Sequence, residues 1–231
     1  MGIDLARIQA ICFDVDGTLS DTDDVWAEQL ARTMYPLARL MPRQDLTALA
    51  RRLILAAETP GNLAYAFLDR LGLDDEIGAI FNFLARQHMG IRQHRFRLIQ
   101  GVDSLLPALA ERYPLAVISA RDERTTLAFL EMFGLRPLFR CVATAQTCVH
   151  TKPFPDPLFW AAEQMGVTPV GCLMVGDTTV DMRMGRAAGA QTVGVLCGFG
   201  DERELSRAVA DVILAETADI EHLLLPGKSS A

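Results

Sequence analysis

Four aspartates hold the chemistry available to this chain of 231 residues. Asp14 and Asp16 stand in Asp14-Val15-Asp16-Gly17-Thr18, and Asp177 and Asp181 in Val175-Gly176-Asp177-Thr178-Thr179-Val180-Asp181. Each group directly follows an apolar run, where open α/β sheets place their ligand sites. A period of two puts Asp14 and Asp16 on the same side of an extended segment. Two carboxylates about 4 Å apart repel by roughly 4 kcal/mol at an effective dielectric of 20. They are tolerable together around a dication or a shared proton. Gly17 then supplies the turn. Asp177 and Asp181 lie four apart and can look out from one face of a first helical turn. Helix capping would explain one Asp per helix start. It accounts poorly for four carboxylates at the ends of two strands.

Two further residues join them. Among 22 basic residues the only lysines are Lys152 and Lys228. In a chain that otherwise uses arginine, Lys152 in Thr151-Lys152-Pro153 is a compact ammonium suited to neutralising a phosphoryl group or a carboxylate. Ser119 ends the run Leu115-Ala116-Val117-Ile118, where its hydroxyl can bind a phosphate oxygen or cap a helix.

Positioning these groups requires a scaffold, and the apolar pattern supplies one. Short runs at 8–13, 115–119, 139–143, 172–175 and 192–196, with a weaker one at 211–214, read as buried strands. Helical patterns at 102–112, 123–133, 157–165, 179–188 and 202–208 alternate with them. The expectation is an α/β fold with a doubly wound parallel sheet. Gly134, Gly166 and Gly189 each follow a helix, where a left-handed residue is wanted. From 22 to 95 only helical periodicity is found, punctuated by Pro36, Pro42 and Pro60-Gly61. So long a stretch is not a loop of a compact domain. The reading is a core domain at 1–21 and 96–231 with an inserted α-helical cap subdomain at 22–95. The insertion's charges cancel, so the net −7 resides on the core.

Composition excludes several classes. With 50% hydrophobic residues the chain can bury a sizeable core. A surplus of 29 acidic over 22 basic residues opposes a broad nucleic-acid footprint. The five cysteines show no paired or metal-type spacing and read as buried, reduced thiols. No signal pattern or long apolar run points to a membrane, so a cytoplasmic location is expected. The basic cluster Arg86, His88, Arg92, His94, Arg95 and Arg97 reads as a solvated face and hinge, and Trp26 and Tyr65 as core of the cap. No GxxxxGK[ST] occurs, which rules out a P-loop ATPase.

Asp14, Asp16, Ser119, Lys152, Asp177 and Asp181, in that order, resemble the haloacid dehalogenase-like (HAD) superfamily. Asp14–Thr18 matches its DxDGT motif, Gly176–Asp181 its GDxxxD motif, and Ser119 and Lys152 its Ser/Thr and lysine. Lys152-Pro153-Phe154-Pro155-Asp156-Pro157 and the stretch from Val193 to Gly200 look most like the phosphoglycolate phosphatase and β-phosphoglucomutase relatives. The resemblance implies a Rossmann-like core, a helical cap and an enzyme that acts on a small phosphorylated metabolite. It implies that Asp14 is the nucleophile, forming an aspartyl-phosphate, and Asp16 the general acid and base. Mg²⁺ would be held by Asp14, the Asp16 carbonyl and Asp177, with Asp181 orienting the site from behind. Phosphate would be bound by Thr18, Ser119, Ala120 and Lys152. Asp16 argues against a dehalogenase, whose departing halide needs no proton. A phosphatase is expected, a sugar phosphomutase shares every one of these residues, and a non-catalytic binding protein of the same fold is the third reading. Neither the substrate nor the oligomeric state is legible.

Overall fold

The computed structural model describes residues 2–21 and 96–225. The chain divides into two compact units, Met1–Asp23 with Arg97–Ala231, and Asp24–Phe96. The helical cap expected at 22–95, with Trp26 and Tyr65, lies outside the described residues.

Six strands build one parallel sheet: β1 (Ala10–Phe13), β2 (Leu115–Ile118), β3 (Phe139–Ala143), β4 (Cys172–Gly176), β5 (Gln191–Val195) and β6 (Val212–Leu214). Helices α1 (Val102–Ala110), α2 (Glu123–Met132), α3 (Asp156–Met165), α4 (Thr179–Ala187), α5 (Glu202–Arg207) and α6 (Ile220–Leu224) alternate with them. All six strands and the first five helices were legible as apolar runs and helical patterns. The five-residue α6 was not, being too short to show a period.

The runs of β1, β2 and β4 are continuous because the sheet is covered there on both faces. The edge strands expected to be buried are not wholly so: β3 exposes Arg140 and β6 is half-buried. Along β1, β2 and β4, one face presents the small residues Ala10, Cys12, Ala116 and Cys172 with Ile118 and Met174. These pack with Leu158, Ala161 and Ala162 of α3 and Met184 of α4. The alternate residues Ile11, Phe13, Leu115, Val117, Leu173 and Val175 are fully buried on the opposite face. Gly134, Gly166 and Gly189 take φ of 65°, 71° and 79°. At Gly166 this lets α3 end in a left-handed turn, with its N–H bonded to the carbonyl of Glu163.

All five cysteines are free. Cys12, Cys141 and Cys172 are buried as expected, whereas Cys148 and Cys197 are only partly so, because both sit in connecting segments rather than strands. Among the described residues no helix is long and apolar enough to cross a membrane.

The strand order is β3-β2-β1-β4-β5-β6. The chain winds outward in opposite directions from β1 and β4, so their connections leave a crevice beyond their carboxyl ends. This is where such sheets bind ligands.

Candidate active site

Asp14 follows the last residue of β1, and Asp177 the last of β4. Phe13 lies opposite Val175 in the register. The Asp14 N–H continues that pairing by donating to the Val175 carbonyl at 2.9 Å. Two aspartates thus meet at the crevice from segments more than 160 residues apart in sequence. Ser119 follows β2, and Lys152 lies in the loop between β3 and α3.

Lys152 joins the halves of the site. Its Nζ donates to Asp14 Oδ1 at 2.6 Å and to Asp181 Oδ1 at 2.7 Å. All three residues are buried, Lys152 being 9% exposed, Asp14 7% and Asp181 0%. Among the described residues the other oxygen of Asp14, Oδ2, accepts no hydrogen bond. Burial would lower the Lys152 pKa, but the two carboxylates outweigh it and raise it, so the ammonium keeps its charge. Burial is also the largest influence on Asp14. Lys152 opposes it, Asp181 and Asp16 add to it, and the carboxyl is pushed up to about 7.

Asp181 has two duties. Oδ1 accepts from Lys152, while Oδ2 accepts the Thr178 hydroxyl at 2.6 Å and the Thr178 N–H at 3.2 Å. The capping reading and the site reading of this residue are therefore both met, one by each oxygen.

Asp177 is seated in a cradle. Its Oδ2 accepts the Phe199 N–H at 2.7 Å, and its Oδ1 the Thr18 hydroxyl at 3.4 Å. Gly17, at φ +72°, and Gly198 press against it so closely that a Cβ at either position would lie 2.2 Å from Oδ2. Gly17 therefore does more than turn the chain. Thr18 also departs from expectation. It is fully buried, its hydroxyl faces Asp177 rather than an open phosphate site, and its carbonyl accepts the Thr217 hydroxyl at 2.7 Å.

Asp14, Asp177 and Asp181 each offer an oxygen within 4.8 Å of the others. One ammonium shared by two of three buried carboxylates, with only oxygen donors, suits a hard divalent cation. The Asp16 carboxylate is not part of this group. It is held by Arg121, whose Nε donates to Oδ2 at 2.6 Å and whose Nη2 donates to Oδ1. The Arg121 N–H donates to Ser119 Oγ at 3.1 Å, and its guanidinium lies 5.9 Å from the ring centroid of Phe129. The Ser119 N–H donates to the Ala143 carbonyl. Ala120, at the bend that follows, is exposed.

Sequence reasoning missed Arg121, Phe199 and the second role of Gly17 and Gly198. Arg121 carried no contrast in a chain that uses arginine almost everywhere. The Phe199 contribution is a backbone N–H, to which side-chain type is silent. The glycines around it in Gly198-Phe199-Gly200 were the available signal.

A doubly wound parallel sheet with a lysine-bound carboxylate at its switch point places the chain in the α/β class. Within it, the chain belongs to the haloacid dehalogenase-like hydrolase family, whose model matches residues 11–195. It is 28% identical to the pyrophosphatase PpaX of Bacillus pumilus, over 93% of this chain and 95% of that protein. It is 28% identical to the phosphoglycolate phosphatase of Neisseria meningitidis, over 99% of both. A solved hydrolase from Pseudomonas syringae superposes with a TM-score of 0.68 at 26% identity, covering 93% of this chain and 97% of that one.

Proposed function

We propose that this enzyme is a Mg²⁺-dependent phosphatase that hydrolyses small phosphate monoesters through an aspartyl-phosphate on Asp14. The observation that carries this reading is Asp14 itself. It is buried at the sheet's switch point, with one oxygen fixed by Lys152 and the other accepting nothing among the described residues. The relatives named for phosphoglycolate and pyrophosphate hydrolysis support the substrate class.

In the first step Asp14 Oδ2 attacks phosphorus, and the bond from phosphorus to the bridging oxygen breaks. The bridging oxygen keeps the electron pair and takes a proton from Asp16. In the second step Asp16 removes a proton from water, whose oxygen attacks phosphorus and displaces the Asp14 carboxylate. Such proton transfers typically contribute about 10²–10⁴ in rate. Lys152 holds Asp14 oriented and, with Ser119 and the Ala120 N–H, faces the phosphoryl oxygens. Thr18, Phe199 and the flanking glycines fix Asp177, and Thr178 fixes Asp181.

Asp14, the Asp16 carbonyl and Asp177 would hold Mg²⁺, oriented from behind by Asp181. When bound, the ion supplies charge neutralisation to the phosphoryl oxygens and keeps Asp14 ionised against its burial. The helical cap expected at 22–95, which would exclude water from the reaction, lies outside the described residues.

The test compares Asp14→Asn with Asp16→Asn at saturating Mg²⁺. Asp14→Asn forms neither phosphoryl-enzyme nor product. Asp16→Asn loses alkyl phosphates, whose alkoxide needs a proton, yet is still phosphorylated by p-nitrophenyl phosphate and accumulates the intermediate. Near-normal turnover by Asp14→Asn would reverse the assignment.

A further inference from the structure

Arg121 is the one charged side chain at the described site to which this mechanism assigns no task. It lies between two groups that have one, with its N–H on Ser119 Oγ at 3.1 Å and its guanidinium on both oxygens of Asp16. The side chains of Asp16 and Arg121, 30% and 17% exposed, are also more open to solvent than those of Lys152 and Asp14, which are 4% and 9% exposed.

A two-pronged guanidinium–carboxylate pair occupies the carboxylate from both oxygens. In this arrangement Asp16 has its oxygens turned to Arg121. To serve a leaving oxygen it must give up part of the fork. A leaving group without charge offers the guanidinium nothing in exchange. A leaving group that carries its own carboxylate or phosphate does, since it has the same planar or tripodal oxygen pattern and the same charge sign. Because Asp16 works at the bridging oxygen, an anionic group a few bonds beyond that oxygen arrives at Arg121. Phe129, fully buried in α2, lies beneath the guanidinium and limits where it can turn.

We propose that Arg121 is a specificity-determining residue that selects phosphate esters and anhydrides whose leaving group is itself anionic. The guanidinium passes from Asp16 to the leaving group's anion, and the exchange frees Asp16 to turn toward the bridging oxygen. This rests on the phosphatase reading above and narrows it to a substrate class. It joins recognition to catalysis: the feature that identifies the substrate is the one that releases the acid.

The experiment measures kcat/KM for 2-phosphoglycolate and for its neutral primary amide, which differ only in the charge of the leaving group. The readout is the ratio of the two, in wild type, Arg121→Gln and Arg121→Lys. Wild type favours the carboxylate by about tenfold or more, as expected for a charged hydrogen-bonded pair. Arg121→Gln brings the ratio close to one, and Arg121→Lys, which keeps charge but not the fork, falls between. A merely structural role for Arg121 would lower both substrates together and leave the ratio in place. That result overturns the proposal, as does a wild-type ratio near one. If Arg121→Gln does not fold, as judged by its urea midpoint, the Arg121→Lys ratio decides alone, and an unchanged ratio overturns it. Wild type that releases phosphate from no ester sinks the phosphatase reading as well, and so is distinct from the loss of this inference by itself.

Discussion

Replacing Lys152 with Met removes the only cation that touches Asp14 and Asp181 in the described site, while keeping much of the side chain's volume. At 2.6 and 2.7 Å the ammonium attracts each carboxylate by about 6 kcal/mol at an effective dielectric of 20. Most of that attraction offsets the cost of dehydrating three buried charges. The net penalty for removing one member of a buried pair is about 3–5 kcal/mol. Against a total stability of about 5–15 kcal/mol, that is a large fraction. With a urea slope of roughly 2–3 kcal/mol per molar, the midpoint of Lys152→Met falls by about 1–2 M. Urea unfolding, followed by circular dichroism in metal-free buffer, reads this directly. The double variant Lys152→Met/Asp181→Asn tests the cause. Neutralising Asp181 removes one of the two stranded carboxylates and recovers a substantial part of the lost midpoint, a coupling that separate, non-interacting sites would not show. A midpoint shift below about 0.3 M, or a double variant less stable than the single one, would refute the electrostatic account of Lys152.

Three further expectations follow from the same geometry. Chelation abolishes turnover and Mg²⁺ restores it, whereas Ca²⁺, with its larger and looser shell, restores little; full activity in metal-free buffer opposes the metal assignment. Gly198→Ala places a Cβ 2.2 Å from Asp177 Oδ2, so the Mg²⁺ concentration for half-activation rises by about 10–100-fold; an unchanged midpoint means that Asp177 has room to move. Asp122 caps α2 by accepting the Thr125 N–H at 3.0 Å, and Asp122→Ala lowers stability by about 1 kcal/mol at pH 7. Burial would raise the Asp122 pKa, but its bonds to Thr125 prevail and lower it. A carboxylate with a depressed folded pKa stabilises above its unfolded value of 3.8 and loses that contribution as pH falls through the folded one. The difference between wild type and Asp122→Ala therefore shrinks as the pH falls below 3.8. A difference independent of pH down to 2 would mean that the charge is irrelevant to the cap.

What the sequence by itself determined is local. A strand buried on both faces is apolar at nearly every position, so β1, β2 and β4 announced themselves as short uninterrupted runs. By contrast, β5 buries Gln191 and Thr192 with hydrogen bonds to Asp4 and Asp211. Asp14, Asp16, Asp177 and Asp181 were legible because each lies within a few residues of the strand end that positions it. Lys152 stood out through its rarity. The tertiary structure decided the pairings, because these depend on strand order rather than on spacing. Lys152 lies 138 residues from Asp14 and 29 from Asp181, and Arg121 lies 105 from Asp16. No periodicity spans such separations. Placing β1 between β2 and β4 is what brings the loops after all three strands to one crevice. It also settled which acid has which partner: Asp14 and Asp181 share Lys152, whereas Asp16, only two residues from Asp14, turns instead to Arg121. Period-two spacing put both carboxylates of the first motif on one side of the chain, and only the packed neighbours could send them to different cations.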